Sequence, residues 1–268
     1  MTVVVFCAVW LIPTLSLIAT SLRPGELLLS SGWWHIFQAP GEITSLNYRE
    51  VFVGQHIGVS LVNSIILVLP VTVATVAIGA LAGYALAWMP FRGDKIFFLL
   101  FIALLGLPVQ VTLVPVLQLF SDLHMAGTFP AAWIAYTGYT LPFAIFLMRG
   151  FFRAIPYEII EAARVDGASA ATTWVKVALP MAAPALASLA TLVFITTWND
   201  LLVSLVYLGS GPAVAPLQVA ITNLIGSQGQ GQELLAAGAV ISLVIPVAVF
   251  FALQRYFVRG IVAGAVKG

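Results

Sequence analysis

Long apolar runs separated by short polar intervals dominate this chain. Six of the runs are long enough to cross a bilayer, which takes roughly 20 residues as helix. They are Val3–Leu22, Ile57–Trp88, Ile96–Phe120, Ala131–Met148, Pro184–Leu208 and Leu234–Phe257. The second exceeds the need, and an interfacial first turn or a tilt absorbs the excess. Inside lipid every backbone N–H and C=O needs an internal partner, so each run is predicted to be a helix. No run alternates as barrel strands do. The pattern predicts an all-α membrane protein, a single transmembrane domain over residues 1–268.

Composition agrees. Of 268 residues, 61% are hydrophobic and 8% charged, where a soluble domain carries about 25% charged residues. The placement of the cations orients the chain. Arg92 and Lys95 follow the second run; Arg149, Arg153, Arg164 and Lys176 follow the fourth; Arg255, Arg259 and Lys267 follow the sixth. Only Arg23 and Arg49 fall on the other side. The positive-inside rule makes the first side, and with it both termini, cytoplasmic. Only Met1 and Thr2 precede the first run, and neither is basic. Without a basic n-region or a small-residue cleavage site, that run reads as a span and not as a signal peptide.

The intervals on the outer side differ in character. Arg23–His56 holds Trp33, Trp34, Phe37, Tyr48 and Phe52, a pattern of aromatics at headgroup level or of a contact surface for an external partner. The second interval contains Asp122 and His124, to which no role is assigned. Gly209–Glu233 is rich in Gly, Pro and Gln around an apolar stretch, Leu217–Ile225, that fits a short helix. Such a loop suits contact with another surface as well as it suits a plain connector.

Polar residues inside the runs mark a candidate path. Asn63 and Ser64 open the second, Gln110 and Gln118 lie in the third beside Pro108 and Pro115, and Trp198-Asn199-Asp200 lies in the fifth. A carboxylate at membrane depth is costly unless paired or wetted. Asp200 stands about 24 Å along a helix from Pro184, in the outer half of the membrane. Prolines kink such helices, and inward amides suit either a gated cavity or interhelical hydrogen bonding.

No catalytic set accompanies these residues. There is no phosphate-binding glycine loop, no G-x-S-x-G and no H-E-x-x-H. Cys7 is the only cysteine, so no internal disulfide is possible, and no Cys/His metal spacing occurs. No chain of ionisable residues runs through the spans, as a proton-driven carrier needs. Active transport would then draw its energy from another subunit. No nucleic-acid partner is expected.

The longest polar interval, residues 149–182, is the candidate coupling element. Pro156 is placed to start a helix over Tyr157–Val165 that carries Glu158 and Glu161. Asp166-Gly167 ends it, since glycine adopts the left-handed conformation cheaply. Ser169 caps a second helix, Ala170–Ala178, which Leu179-Pro180 stops. Ala162, Ala163 and Ala168 permit close approach, and Trp174 and Val177 share a face. The pair fits a docking surface for a soluble partner, or an interfacial helix.

The run Glu161, Ala162, Ala163, Asp166, Gly167, Ala168, Trp174, Leu179, Pro180 and Pro184 resembles the E-A-A-x-x-D-G-A signature of ABC importer permeases, with its later aromatic, Leu-Pro and further proline. The layout of the spans, Trp198-Asn199-Asp200, Asn47-Tyr48, Asn63-Ser64 and the tail Gln254–Gly260 and Gly264–Gly268 are similar to the shorter permease subunit of maltose-type carbohydrate-uptake systems. The tail and Gly226–Glu233 look most like α-glucoside permeases. The resemblance covers essentially the whole chain.

It implies a type I ABC importer permease fold in the bacterial inner membrane, with a coupling helix between helices 4 and 5. It implies as partners a second homologous permease, two ATPase subunits that bind ATP and Mg, and an extracytoplasmic sugar-binding protein. This chain would be a transport subunit with no enzymatic activity and no cofactor of its own, surrounded by lipid. The coupling residues would be Glu161, Ala162, Ala163, Asp166, Gly167, Ala168, Trp174, Leu179 and Pro180. Asn63, Gln118, Trp198, Asn199 and Asp200 are the candidates along the path, although in this family most sugar contacts come from the other permease. Leu217, Asn223, Gly226, Gln228 and Gln230 would lie on the loop that meets the binding protein. The solute would be an α-glucoside such as trehalose, maltose or sucrose. Glucosylglycerol, a polyol or glycerol phosphate is the alternative, and a secondary carrier a more distant one.

Overall fold

The computed structural model describes residues 2–224 and 231–265, with side chains through residue 254. Every regular element among the described residues is helical. We number the principal ones α1 (Thr2–Ser21), α2 (Ile57–Trp88), α3 (Asp94–Leu105), α4 (Val109–Asp122), α5 (Phe129–Arg153), α6 (Tyr157–Val165), α7 (Ala170–Met181), α8 (Ala183–Asn199), α9 (Leu202–Leu208), α10 (Leu217–Thr222) and α11 (Gln232–Ala265). Four described helices are long and apolar enough to span a membrane, and up to six spans result if two bent pairs each count as one.

The bent pairs depart from the straight runs expected. The third run divides into α3 and α4 at an angle of 102°. Pro108 has no N–H to continue the ladder, and the residue before a proline avoids the α region. Gly106 and Leu107 close α3 with tightened i→i+3 bonds, and Pro108 turns extended (ψ 127°). The fifth run also does not continue to Leu208. It ends at Asn199, and Asp200 is extended (ψ 123°) before α9 begins.

Contacts group the chain into two compact units, Met1–Ile65 with Leu208–Val247 and Ile66–Tyr207 with Ala248–Gly268. In the first, α1 leads into a folded segment of short helical turns between residues 25 and 54. Arg23 organises that segment. It is fully buried, pairs with Glu42 at 2.8 Å, and donates to Ser31 Oγ and to the carbonyls of Ser31 and Gly32. A buried guanidinium is tolerable only with such partners. Asn47 adds bonds to the carbonyls of Ser21 and Arg23, and Ser21 meets the Tyr48 hydroxyl. The segment is therefore a built cap and more than a row of interfacial aromatics, although Trp34 and Phe37 do face outward.

The second unit is held by a stripe of small residues. Gly79 and Gly83 lie four apart on α2, in the G-x-x-x-G spacing that lets membrane helices approach closely. A Cβ at Gly79 would stand 2.7 Å from Ala144 Cβ, and one at Gly83 2.7 Å from Met148 Cβ and 2.9 Å from the Arg149 nitrogen. The same faces continue through a 2.9 Å bond between the Thr75 and Thr140 hydroxyls. Trp133 Nε1 donates to the Ile66 carbonyl at one end, and Trp88 Nε1 to the Phe152 carbonyl at the other. Hence α2 and α5 run parallel, and polar bonds mark both ends of their seam.

Candidate functional site

The α6–α7 hairpin is built almost entirely by local chemistry. Pro156 stands at the N-cap of α6, and Glu158 lies in its first turn, where a carboxylate favours the helix dipole. At the other end Gly167 takes φ +80°. Its N–H bonds the Arg164 carbonyl, and the Ala168 N–H bonds the Ala163 carbonyl, both at 3.0 Å. That pair of bonds is the Schellman closure, and it needs a positive φ at Gly167. Ser169 Oγ then accepts the Thr172 N–H at 3.2 Å and starts α7.

Leu179-Pro180 does not end the second helix. A π-turn over Trp174–Ala178 precedes it, with the Leu179 N–H bonded to the Trp174 carbonyl, and the helix runs on to Met181. The widened turn makes room for the proline ring, which otherwise collides with the carbonyl one turn back. The chain turns instead at Ala182, by 74° into α8, with Pro184 in the first turn of that helix.

The hairpin has one buried side and one bare side. Ile160, Thr173 and Ala178 are buried. Glu161, Ala162, Asp166, Gly167 and Pro180 are exposed, Ala163, Ala168, Trp174 and Leu179 half-buried, and Val165 is 81% exposed. Among the described residues neither Glu161 nor Asp166 has a cationic partner within salt-bridge distance. The buried Trp174 indole N–H also lacks a hydrogen-bond partner. Arg164 reaches the Trp88 carbonyl at 3.2 Å and anchors the hairpin to the end of α2.

The break between α8 and α9 is the second feature. Asp200 Oδ1 accepts the Val203 N–H at 2.8 Å and so caps α9, and it also accepts the Tyr136 hydroxyl at 2.8 Å. Tyr136 shares a 2.7 Å bond with Ser204 Oγ. Nearby, Tyr139 and Tyr207 hydroxyls meet at 2.6 Å, with Thr112 donating to Tyr139 and Tyr207 contacting the Leu113 carbonyl. Oδ2 of Asp200 has no hydrogen-bond partner among the described residues. The site thus joins a partly exposed carboxylate to a row of hydroxyls on α5, α9 and α4. Sequence reasoning named Asp200 but missed Tyr136, Tyr139, Ser204 and Tyr207. The three-residue step from Tyr136 to Tyr139 was the available sign.

The other path candidates fall elsewhere. Trp198 is buried and stacks on Phe194 at 5.7 Å. Asn199 faces outward, its amide bonded to the Ile195 carbonyl. Gln118 is exposed on α4. Asn63 belongs to the first unit, where its amide donates to the Ala213 and Ala215 carbonyls at 3.2 Å. Ser64 accepts the Leu217 N–H at 2.7 Å. These two side chains pin the 209–224 loop to the start of α2. Leu217 is fully buried as part of that anchor, whereas Asn223 is exposed beside a cavity of about 560 Å³ that His56, Ser60 and Ser210 also line. Gly226, Gln228 and Gln230 lie outside the described residues. No cluster of three or more metal-ligating side chains occurs among the described residues.

Paired broken helices, polar breaks and an exposed hairpin define a multi-pass membrane protein of the transport class. The chain belongs to the family described as the binding-protein-dependent transport system inner membrane component, which it matches over residues 75–263. That is a family of transport subunits, not of enzymes. The chain is 48% identical over 262 residues to the osmoprotective compounds uptake permease protein GgtD of Synechocystis sp., covering 97% of this chain and 88% of that protein. It is 47% identical over 234 residues to the alpha-glucoside transport system permease protein AglG of Rhizobium meliloti, covering 85% of this chain and 62% of that longer protein. It is 36% identical to the trehalose transport system permease protein SugB of Mycobacterium tuberculosis, covering 96% and 93%. Its fold matches a chain of a bacterial ABC transporter involved in the import of the acidic polysaccharide alginate, with a TM-score of 0.77 at 24% identity over 96% of this chain and 94% of that one.

Proposed function

We propose that this chain is the permease subunit of an ATP-driven importer for α-glucosides, working by alternating access. The observation that carries the reading is the α6–α7 hairpin, glycine-closed, bare on one side, with two carboxylates that have no cationic partner among the described residues. Such a surface fits a groove on a cytoplasmic ATPase. In this reading Glu161 and Asp166 meet cations there, Ala162, Ala163 and Ala168 allow close seating, and Trp174, Leu179 and Pro180 complete the coupling segment. Two ATPase subunits hold ATP and Mg, a second homologous permease completes the pathway, and a binding protein delivers the solute outside. Both termini then lie in the cytoplasm. ATP-driven closure switches the pathway because the two membrane states bind the ATPase differently.

Asn63, Gln118, Trp198, Asn199 and Asp200 remain the candidates along the path. Among them Asp200 is the best placed to accept a sugar hydroxyl, through its free Oδ2. The loop with Leu217, Asn223, Gly226, Gln228 and Gln230 is proposed to meet the binding protein. The names of the alpha-glucoside and trehalose relatives support the solute class. A second reading, import of another osmoprotective solute, is favoured by the 48% identity to GgtD. Uptake of labelled trehalose by cells carrying the full system, with unlabelled competitors, tests the choice. Competition by maltose and sucrose supports the α-glucoside reading; competition by glucosylglycerol alone overturns it.

A further inference from the structure

Within the unit that contains α3 and α5, the start of one helix and the end of the other enclose an aromatic cleft of about 460 Å³. Phe98 and Phe146 stack across it at 6.3 Å and 11°, and Leu147 and Phe151 extend its walls. Arg149 is its only charged lining residue among those described. The guanidinium carbon lies 3.6 Å from the Phe98 ring centroid, and Nε donates to the Leu86 carbonyl at 3.2 Å. Both terminal nitrogens are without a protein partner among the described residues. The cleft opens outward at Gly150, where a Cβ would find no atom within 4 Å. It lies about one turn from the ends of α3 and α5, where Arg92, Lys95 and Arg153 also gather. Asp94, in the first turn of α3, already accepts the Lys95 N–H, and Glu158 follows in the first turn of α6.

We propose that this cleft binds an anionic phospholipid. The lipid phosphate takes the two free nitrogens of Arg149, and an acyl chain lies along Phe98, Phe146 and Phe151. A guanidinium presents a planar fork that matches phosphate oxygens, and stacking on Phe98 fixes it in place before the lipid arrives. Held among aromatic walls facing lipid, the cation is stabilised by an anion. Arg92, Lys95, Arg149 and Arg153 outnumber Asp94 and Glu158 along these segments, which favours a lipid of net negative charge over a zwitterionic one.

The test uses the complete importer, reconstituted in vesicles of equal parts phosphatidylglycerol and phosphatidylcholine, extracted, and weighed by native mass spectrometry. Wild type is expected to retain phosphatidylglycerol selectively. Arg149→Gln should lower that retention about tenfold, the worth of a charged hydrogen-bonded contact, and Arg153→Gln, which removes a charge outside the cleft lining, should lower it less. Gly150→Leu fills the cleft from its open side with Arg149 intact, so its loss of lipid tests the cleft without a charge change. Equal retention by wild type and both cleft variants overturns the proposal. So does equal retention of phosphatidylcholine, displacement of the lipid by excess inorganic phosphate, or cross-linking of Arg149→Cys to the second permease.

Discussion

Tyr136 donates a 2.8 Å hydrogen bond to Asp200 Oδ1, the same oxygen that accepts the Val203 N–H. One carboxylate oxygen therefore starts α9 and fastens the break to α5. Tyr136→Phe removes the donor and is expected to cost about 1.5–3 kcal/mol, read as a lower melting temperature of the purified assembly. Asp200→Asn keeps a capping oxygen and should preserve assembly, while Asp200→Leu should lower transport with assembly intact. Unaltered uptake by Asp200→Leu would reduce the residue to a structural role.

The α2–α5 seam makes a sharper steric forecast. A methyl at Gly83 meets Met148 Cβ at 2.7 Å and the Arg149 backbone at 2.9 Å, and backbone cannot turn aside. Gly83→Ala should cost about 1–3 kcal/mol through overpacking, and Gly83→Leu should prevent assembly. Gly138→Ala is the control, because nothing lies within 4 Å of its missing Cβ. Thermal melts of the three variants in detergent check the ordering.

What could be read in the sequence was what local chemistry decides. The α6 boundaries follow from Pro156 and Asp166-Gly167 alone, and Ser169 caps α7 as its side chain predicts. The apolar run from Pro184 to Leu208 hid the break after Asn199, where Asp200 is held by Tyr136, distant in sequence. Hydropathy cannot see such a break. Nor could it see the π-turn before Pro180, which resolves a steric conflict that a residue-by-residue reading takes as a stop. Gly79 and Gly83 were in plain view, but the few polar residues of α2, Thr75 among them, are too sparse to mark one face as the seam.

Gly167 is required for conformation and not for space. Its missing Cβ would meet nothing within 4 Å, yet φ is +80°. Gly167→Ala should strain the turn by about 1–2 kcal/mol, and Gly167→Val by more, since β-branching resists positive φ. The expected outcome is normal membrane insertion with reduced uptake, graded Gly, Ala, Val. Full uptake by the Val variant counts against a coupling role for the turn.

Asn63 should act on the loop it holds. Asn63→Ala leaves the Ala213 and Ala215 carbonyls without that donor, a loss of about 1–3 kcal/mol. Hydrogen exchange across residues 210–224 is expected to speed up, while exchange in α5 stays unchanged. Uniform exchange throughout would mean that the loop is held by other contacts.

The central claim is that the bare side of the α6–α7 hairpin is where the ATPase docks. Val165, 81% exposed between the two carboxylates, offers the most direct probe. Cys7 is the only native cysteine, so Val165→Cys in a Cys7→Ser background gives a single thiol. The measurement is bifunctional cross-linking of that thiol in the assembled importer, with the products identified by mass spectrometry. A cross-link from residue 165 to the ATPase subunit, reduced when Glu161→Lys is added, is the predicted result. A thiol that labels freely with soluble maleimide in the intact complex and never joins the ATPase would contradict it.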